Sequence, residues 1–409
     1  MNLKKLAALS TVLLMLFACS EEENNSYSSN PTRVRMQTIA DSMRVQIDSL
    51  MGITTPGLHF FVQGPKGRFF ISSAPNPLGL ITQHDWFRFA SVTKLFTSSA
   101  ILNMVEEGWL DIDDTITSDI PGYTIPYVPS TPEWDIPNKD LITIRQLLSH
   151  TAGVFDCDND TLQSLGYSLT GYLLQSDPNH TFTTEDFTSF NATNNLSYFA
   201  PGTGYHYSNV GYSILGTIIS RVFSLKSGSN KTYSDYMDEV VIPSVSSSVG
   251  RIRFPDVSTD NRVQSPGCDG LIYKGGNDTT TVTTYNPTIL IAQGNGQGTI
   301  VGLHDLIRAT LKGEGLLGSQ SLQLMNTPLS PDYSNEEYTY GNQSFGTLGR
   351  GHSGARAGNL TFACYDPATD ISMIGYLPVW DISNGINTLV QNNIFPLFAT
   401  MELLAEEVK

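Results

Sequence analysis

Phe87-Arg88-Phe89-Ala90-Ser91-Val92-Thr93-Lys94 opens the stretch from which the rest of the chain can be read. It leads into a run of apolar and small residues that continues to Glu107 and stops before Gly108, which predicts a helix over 93–107. A serine hydroxyl is a weak nucleophile near neutral pH and needs a base within hydrogen-bond reach. Ser91 at a helix start with Lys94 three residues later puts both side chains on one helical face. Burial lets a lysine lose its proton more readily, so Lys94 can serve as that base. Of the ten lysines in the chain, only Lys94 has a serine three positions before it.

Two further motifs follow in chain order. Tyr207-Ser208-Asn209 comes after Pro201-Gly202 and before the helical run Gly211–Gly216. A phenol beside a lysine can relay protons to a leaving group, and an Asn amide can bond both a substrate carbonyl and that lysine. The same tripeptide pattern recurs at Tyr333-Ser334-Asn335, in a Pro/Asp/Glu-rich stretch with no helix after it, and is set aside as coincidence. His352-Ser353-Gly354 precedes Ala355 and a predicted strand at Leu360. There the Ala355 N–H would be an oxyanion donor alongside that of Ser91, and Gly354 would admit substrate backbone closely.

Outward from these motifs, Leu58–Val62 and Arg68–Ile71 flank Gly64-Pro65-Lys66-Gly67 as a hairpin, and Leu360–Tyr365 and Ile371–Tyr376 flank Asp366–Asp370 as another. Helical patterns are expected over 38–51, 207–222, 304–312, 319–325 and 386–404, with a capping box at Thr143–Gln146. Residues 155–200 read as a long irregular excursion. Strands at both chain ends with helices between them predict an α/β (α+β) fold, one antiparallel sheet built from the two termini plus a mostly helical insertion.

Taken together, Ser-x-x-Lys, Tyr-x-Asn and His-x-Gly in this order resemble the class C β-lactamase-like, penicillin-binding serine hydrolases. That group includes D-alanyl-D-alanine carboxypeptidases, D-aminopeptidases and β-lactamase-like esterases. Phe87–Ser91, Leu147–Gly153, Pro201–Gly216 and Gly296–Met325 follow the group's pattern too. The resemblance implies a β-lactamase/transpeptidase-like fold and an acyl-enzyme on Ser91, with Lys94 its proton acceptor or orienter and Tyr207 the general base and acid. Asn209, His352, Ser353, Gly354 and Ala355 would bind substrate, and no cofactor or metal is called for. His352 stands where most true β-lactamases of the group have lysine, which favours a peptidase or esterase. His150 would be structural, since no Gly-x-Ser-x-Gly elbow offers another nucleophile. A true β-lactamase and a non-catalytic surface binding lipoprotein that keeps the fold remain as alternatives. Substrates implied are D-Ala-D-Ala-like peptides, D-amino-acid amides, esters or β-lactams.

The N-terminus adds a compartment. Lys4 and Lys5 precede an apolar run from Leu6 to Ala18, the layout of a signal peptide. Leu16-Phe17-Ala18-Cys19 resembles a lipobox, which makes Cys19 the expected lipidation site and predicts an exported bacterial lipoprotein at the outer membrane, facing the periplasm or the cell surface. The expected division is a leader 1–18, an acidic tether 19–36 and a hydrolase domain 37–405. Within that domain the α/β part covers about 37–90 and 285–405, and the helical part about 91–284. A net charge of -16 repels phosphate backbones and excludes nucleic acid as a partner class. Of the remaining cysteines, Cys157 and Cys268 are the pair expected if any disulfide forms, and Cys364 is expected as a buried thiol.

Overall fold

The computed structural model describes residues 30–76, 79–162, 165–327, 338–356 and 358–409. Cys19, the leader and Tyr333-Ser334-Asn335 lie outside them. The first helix, α1 (Pro31–Met51), begins earlier than the periodicity predicted. Residues 31–36, assigned above to the tether, form its opening turns. Asn30 accepts hydrogen bonds from the N–H groups of Thr32 and Arg33, and Pro31 presets the first helical φ.

Both expected hairpins form. Strands β1 (Leu58–Gly64) and β2 (Gly67–Ser73) pair across the Gly64–Gly67 turn. Labels then follow chain order through β3 (Trp86–Arg88), β4 (Ile252–Arg253), β5 (Gly270–Gly275), β6 (Asp278–Val282), β7 (Gln297–Thr299) and β8 (Gln343–Ser344). Strands β9 (Arg350–Arg356), β10 (Asn359–Asp366) and β11 (Ile371–Leu377) complete a six-stranded sheet of order β2-β1-β11-β10-β9-β8. Its pairings are all antiparallel, and β1 lies against β11, so the chain ends share one sheet.

Alternation along the strands buries both faces of this sheet. Phe60 and Val62 of β1 and Met373 of β11 pack with Met36 and Ala40 of α1 and with Leu397 and Met401 of the last helix. Phe61 and Ile374 point the other way, into the core shared with the helical part. Period-2 side chains buried on both faces read as continuous apolar runs rather than as amphipathic strands.

The helical part is built around α2 (Thr93–Glu106), in which every residue from Thr93 to Met104 is buried. Such a helix has no polar face and must sit at the centre of its lobe. Helix α3 (Ile144–Leu148), α4 (Leu169–Ser176) and α5 (Thr184–Thr193) follow in the chain, and α6 (Asn209–Ser227) packs against α2 on one side and against α3 and α5 on others. The Asp/Asn/Thr-rich region 155–200 is therefore not one irregular excursion: α4 and α5 lie within it, started by Ser168 and Thr183, whose side chains accept from the third helical N–H. The expected Thr143 capping box is present.

The Cys157–Cys268 pairing does not form. Both thiols are free and buried, as is that of Cys364. Cys157 faces the Phe187 carbonyl of α5, whereas Cys268 lies in a turn whose carbonyl accepts from Tyr376, so the two thiols sit in different packing environments.

Candidate active site

Strand β3 delivers Ser91 to the seam between sheet and helical lobe. It is held by pairing with β7, Arg88 opposite Gln297, and Phe89 N–H donates to the Gly296 carbonyl. Ala90 then adopts φ 47°, a left-handed conformation that costs a residue with a Cβ about 1 kcal/mol or more. This turn lifts Ser91 into the cleft before α2 begins.

From the first turns of α2, Lys94 reaches back with its side chain fully buried. Its Nζ donates to Ser91 Oγ at 3.1 Å, to Asn209 Oδ1 at 2.7 Å and to the Gln293 carbonyl at 2.7 Å. Burial pulls its pKa from 10.5 to about 7, against the opposing pull of Asp156 and Asp158. The amine can thus give up its proton far more readily than an exposed lysine while pointing at the serine.

Asn209 is the first residue of α6, whose N-cap is Ser208. Tyr207 precedes the cap, with its phenol against Ser91 and its ring 4.8 Å from Lys94 Nζ. Burial drives the Tyr207 pKa well above 10, so it remains a protonated donor in the free protein. His150 braces this arrangement. Its Nδ1 accepts the Ser208 N–H at 3.1 Å, and its ring lies 4.2 Å from that of Tyr207. Burial lowers its pKa well below 6.5, which keeps it neutral.

The opposite wall is β9. His352 is buried, and desolvation together with Lys94 lowers its pKa to about 3. Its Nδ1 faces the Ser353 carbonyl at 2.5 Å and its Nε2 meets the Tyr338 hydroxyl at 3.2 Å. A neutral imidazole with both nitrogens engaged cannot supply the charge a lysine would bring here.

Ser353 N–H and Oγ both bond Gln343 Oε1, at 3.0 and 2.9 Å, so this N–H points away from β10. Two residues on, Ala355 N–H shares that edge by strand alternation and faces the cleft. Gly354 does admit a close backbone approach, but from within the protein: a Cβ there would lie 2.2 Å from the Phe89 carbonyl. Ser91, Tyr207, Asn209, His352, Ser353 and Ala355 all line one cleft of about 240 Å³.

Three groups at this cleft were not legible in the motifs. Arg356, at the end of β9, lines it and pairs with the buried Asp158 at 3.3 Å, with Nε donating to Tyr285 at 2.6 Å. Asp156 accepts the Asn209 N–H at 3.1 Å. Gln293 contributes a backbone carbonyl, which no sequence pattern reveals. The aspartates had a signal in the cluster Asp156–Asp160, but composition there suggests solvent rather than burial.

A serine hydrogen-bonded by a buried lysine, with an outward N–H on the neighbouring strand, set between an antiparallel sheet and a helical lobe, is the arrangement of a serine hydrolase of the β-lactamase fold. The beta-lactamase family profile matches residues 76–377, and the chain belongs to that family. Among curated relatives, penicillin-binding protein 4* of Bacillus subtilis is 29% identical over 152 residues, 37% of this chain and 27% of that protein. Protein flp of Staphylococcus aureus is 28% identical over 138 residues, 33% and 23% of the two chains. The matches thus span about a quarter of those relatives' lengths.

Solved structures agree on the fold across nearly the whole chain. A D-stereospecific amidohydrolase from Streptomyces sp. superposes with a TM-score of 0.67 at 23% identity, covering 88% of this chain and 99% of that one. D-amino acid amidase from Ochrobactrum anthropi SV3, complexed with L-phenylalanine amide, gives 0.70 at 17% identity, covering 93% and 100%.

Proposed function

We propose that this chain is an exported lipoprotein, anchored at the outer membrane through Cys19, that hydrolyses small amides or esters through a covalent acyl group on Ser91. The substrate class is a D-amino-acid amide, a D-Ala-D-Ala-like peptide or a related ester. The observation that carries the reading is Lys94, whose buried amine is hydrogen-bonded to Ser91 Oγ and carries a pKa near neutrality. A binding module has no need of a base beside a serine.

In this reading Lys94 takes the Ser91 proton as Oγ attacks the substrate carbonyl. The oxyanion is received by the N–H groups of Ala355 and Ser91. As the C–N or C–O bond breaks, Tyr207 passes a proton to the leaving group and is reprotonated from Lys94. Water then attacks the Ser91 ester with the same groups acting in reverse, releasing the acid and the free serine. The neutral His352 takes no proton in this cycle, and its lack of charge favours Lys94 over a Tyr207 phenolate as the base.

Intact-protein mass spectrometry after mixing with benzylpenicillin, with Ser91→Ala in parallel, tests the covalent step. A long-lived adduct of the whole antibiotic, absent from the variant, supports a peptidase-like acyl-enzyme. Steady antibiotic loss without an adduct supports the β-lactamase alternative. Release of product from D- but not L-amino-acid amides by wild type alone supports the amidase form. No reaction with any of these overturns the proposal.

A further inference from the structure

A carboxylate behind the Ser91–Lys94 pair has no part in the cycle above, and its placement is unlike that of a structural acid. Asp156 is 2% exposed. Its Oδ2 accepts from the Asn209 main-chain N–H at 3.1 Å and from Asn159 Nδ2 at 3.4 Å, while Oδ1 is buried with no hydrogen-bond partner. Capping one N–H of α6 needs only a neutral acceptor, and burying a carboxylate with one oxygen unbonded disfavours its ionised form. For the ionised form to persist, the acid must gain from something charged nearby.

Its neighbours narrow the choice. On its own loop, Asp158 is paired with Arg356, and Asp160 accepts from the Tyr198 hydroxyl at 2.6 Å. The Cys157 thiol is held protonated by burial. From α2 comes Lys94, and from α6 the Asn209 N–H. Asn209 serves both groups at once, accepting from Lys94 Nζ through Oδ1 and donating to Asp156 through its backbone. Lys94 is also faced by Asp158 and Arg356, by the neutral His150 and His352, and by the rings of Tyr207 and Tyr212.

Resting on the acyl-transfer reading, we propose that Asp156 is a positioning residue for that reaction, the remote counter-charge of Lys94. Through Asn209 it fixes where the amine is held, and through its charge it governs how readily Lys94 releases its proton. Asp156 is the foremost charge favouring protonated Lys94; burial and Asp158 push the Asp156 carboxyl up to about 7, and the Asn209 N–H and Lys94 pull the other way, toward its ionised form.

The test is the pH dependence of acylation for full-length wild type and Asp156→Asn, followed with benzylpenicillin or the D-amino-acid amide that wild type accepts. Asparagine keeps an acceptor for the Asn209 N–H and removes the charge. The acid limb is expected to move to lower pH by about half a unit or more, as for loss of an opposite charge nearby, with the plateau rate within about tenfold of wild type. Asp156→Glu keeps the charge and is expected to leave the limb in place while lowering the plateau. It also serves if the Asn variant does not fold. A folded Asn variant with an unmoved limb, or a Glu variant with a shifted one, overturns the proposal. Failure of wild type to acylate at any pH would instead remove the reading on which it rests.

Discussion

Lys94 Nζ lies 3.1 Å from Ser91 Oγ and 2.7 Å from Asn209 Oδ1, in a site that excludes solvent from the amine. The two groups proposed as nucleophile and base are thus preassembled in the free protein.

Lys94→Arg is expected to lower the acylation rate by about 10³-fold or more, because a guanidinium stays charged and cannot accept the serine proton. In wild type the rate should rise with pH through about 7 as Lys94 deprotonates. His352, lowered to about 3, is already neutral there, so His352→Gln should leave that limb in place. Stopped-flow acylation across pH 5 to 9 (on the order of the range that brackets these groups) checks both. An active Arg variant would remove Lys94 from the base role.

Stability should carry the same signature. Lys94 has a folded pKa of about 7 against an ordinary 10.5, so between these values the unfolded chain binds more protons and stability rises with pH. The cost of the buried ammonium is fully present below the folded value and absent above the unfolded one. Relative to wild type, Lys94→Met should therefore gain stability as pH falls from 10.5 toward 7. Urea denaturation at several pH values measures this, and a pH-independent difference between the proteins would contradict it.

Gly354→Ala is expected to act on the nucleophile rather than on substrate. The added Cβ would meet the Phe89 carbonyl at 2.2 Å, so β9 or the 89–91 turn must shift. A displacement on the order of 1 Å at the reacting group costs about 100-fold in rate. The loss should fall on kcat, with KM nearly constant. A wild-type kcat would show that the turn yields without moving Ser91.

Asp158→Asn should destabilise the fold by about 3 kcal/mol, because it leaves Arg356 charged and partly buried without its partner. Chemical denaturation reads this directly. A loss below about 1 kcal/mol would place the pair among weak surface bridges.

Much of the fold was open to sequence reading because its signals are local. The hairpins at 58–73 and 359–377 are each marked by a turn cluster between strand-forming runs, and the Thr143 box names its own helix start. Helices α4 and α5 were missed because polar residues dominate their stretch, and their caps at Ser168 and Thr183 are legible only once the helices are suspected. Ser91, Lys94, Tyr207, Asn209 and His352, which the structure brings together, could be singled out because a helix start or strand edge ties each to a short pattern.

Arg356, Asp158 and Asp156 carry no such pattern. Arg356 and Asp158 are nearly two hundred positions apart, and only closure of β9 onto the helical lobe brings them together. Sequence alone singled out the side chains proposed for acyl transfer, since Ser91, Lys94 and Tyr207 sit within a few residues of local structural signals. Tertiary structure decided their protonation states, because a pKa depends on desolvation and on charges drawn from distant segments. Burial of Lys94, against the pull of Asp156 and Asp158, is what brings an ordinary lysine to a pKa of about 7.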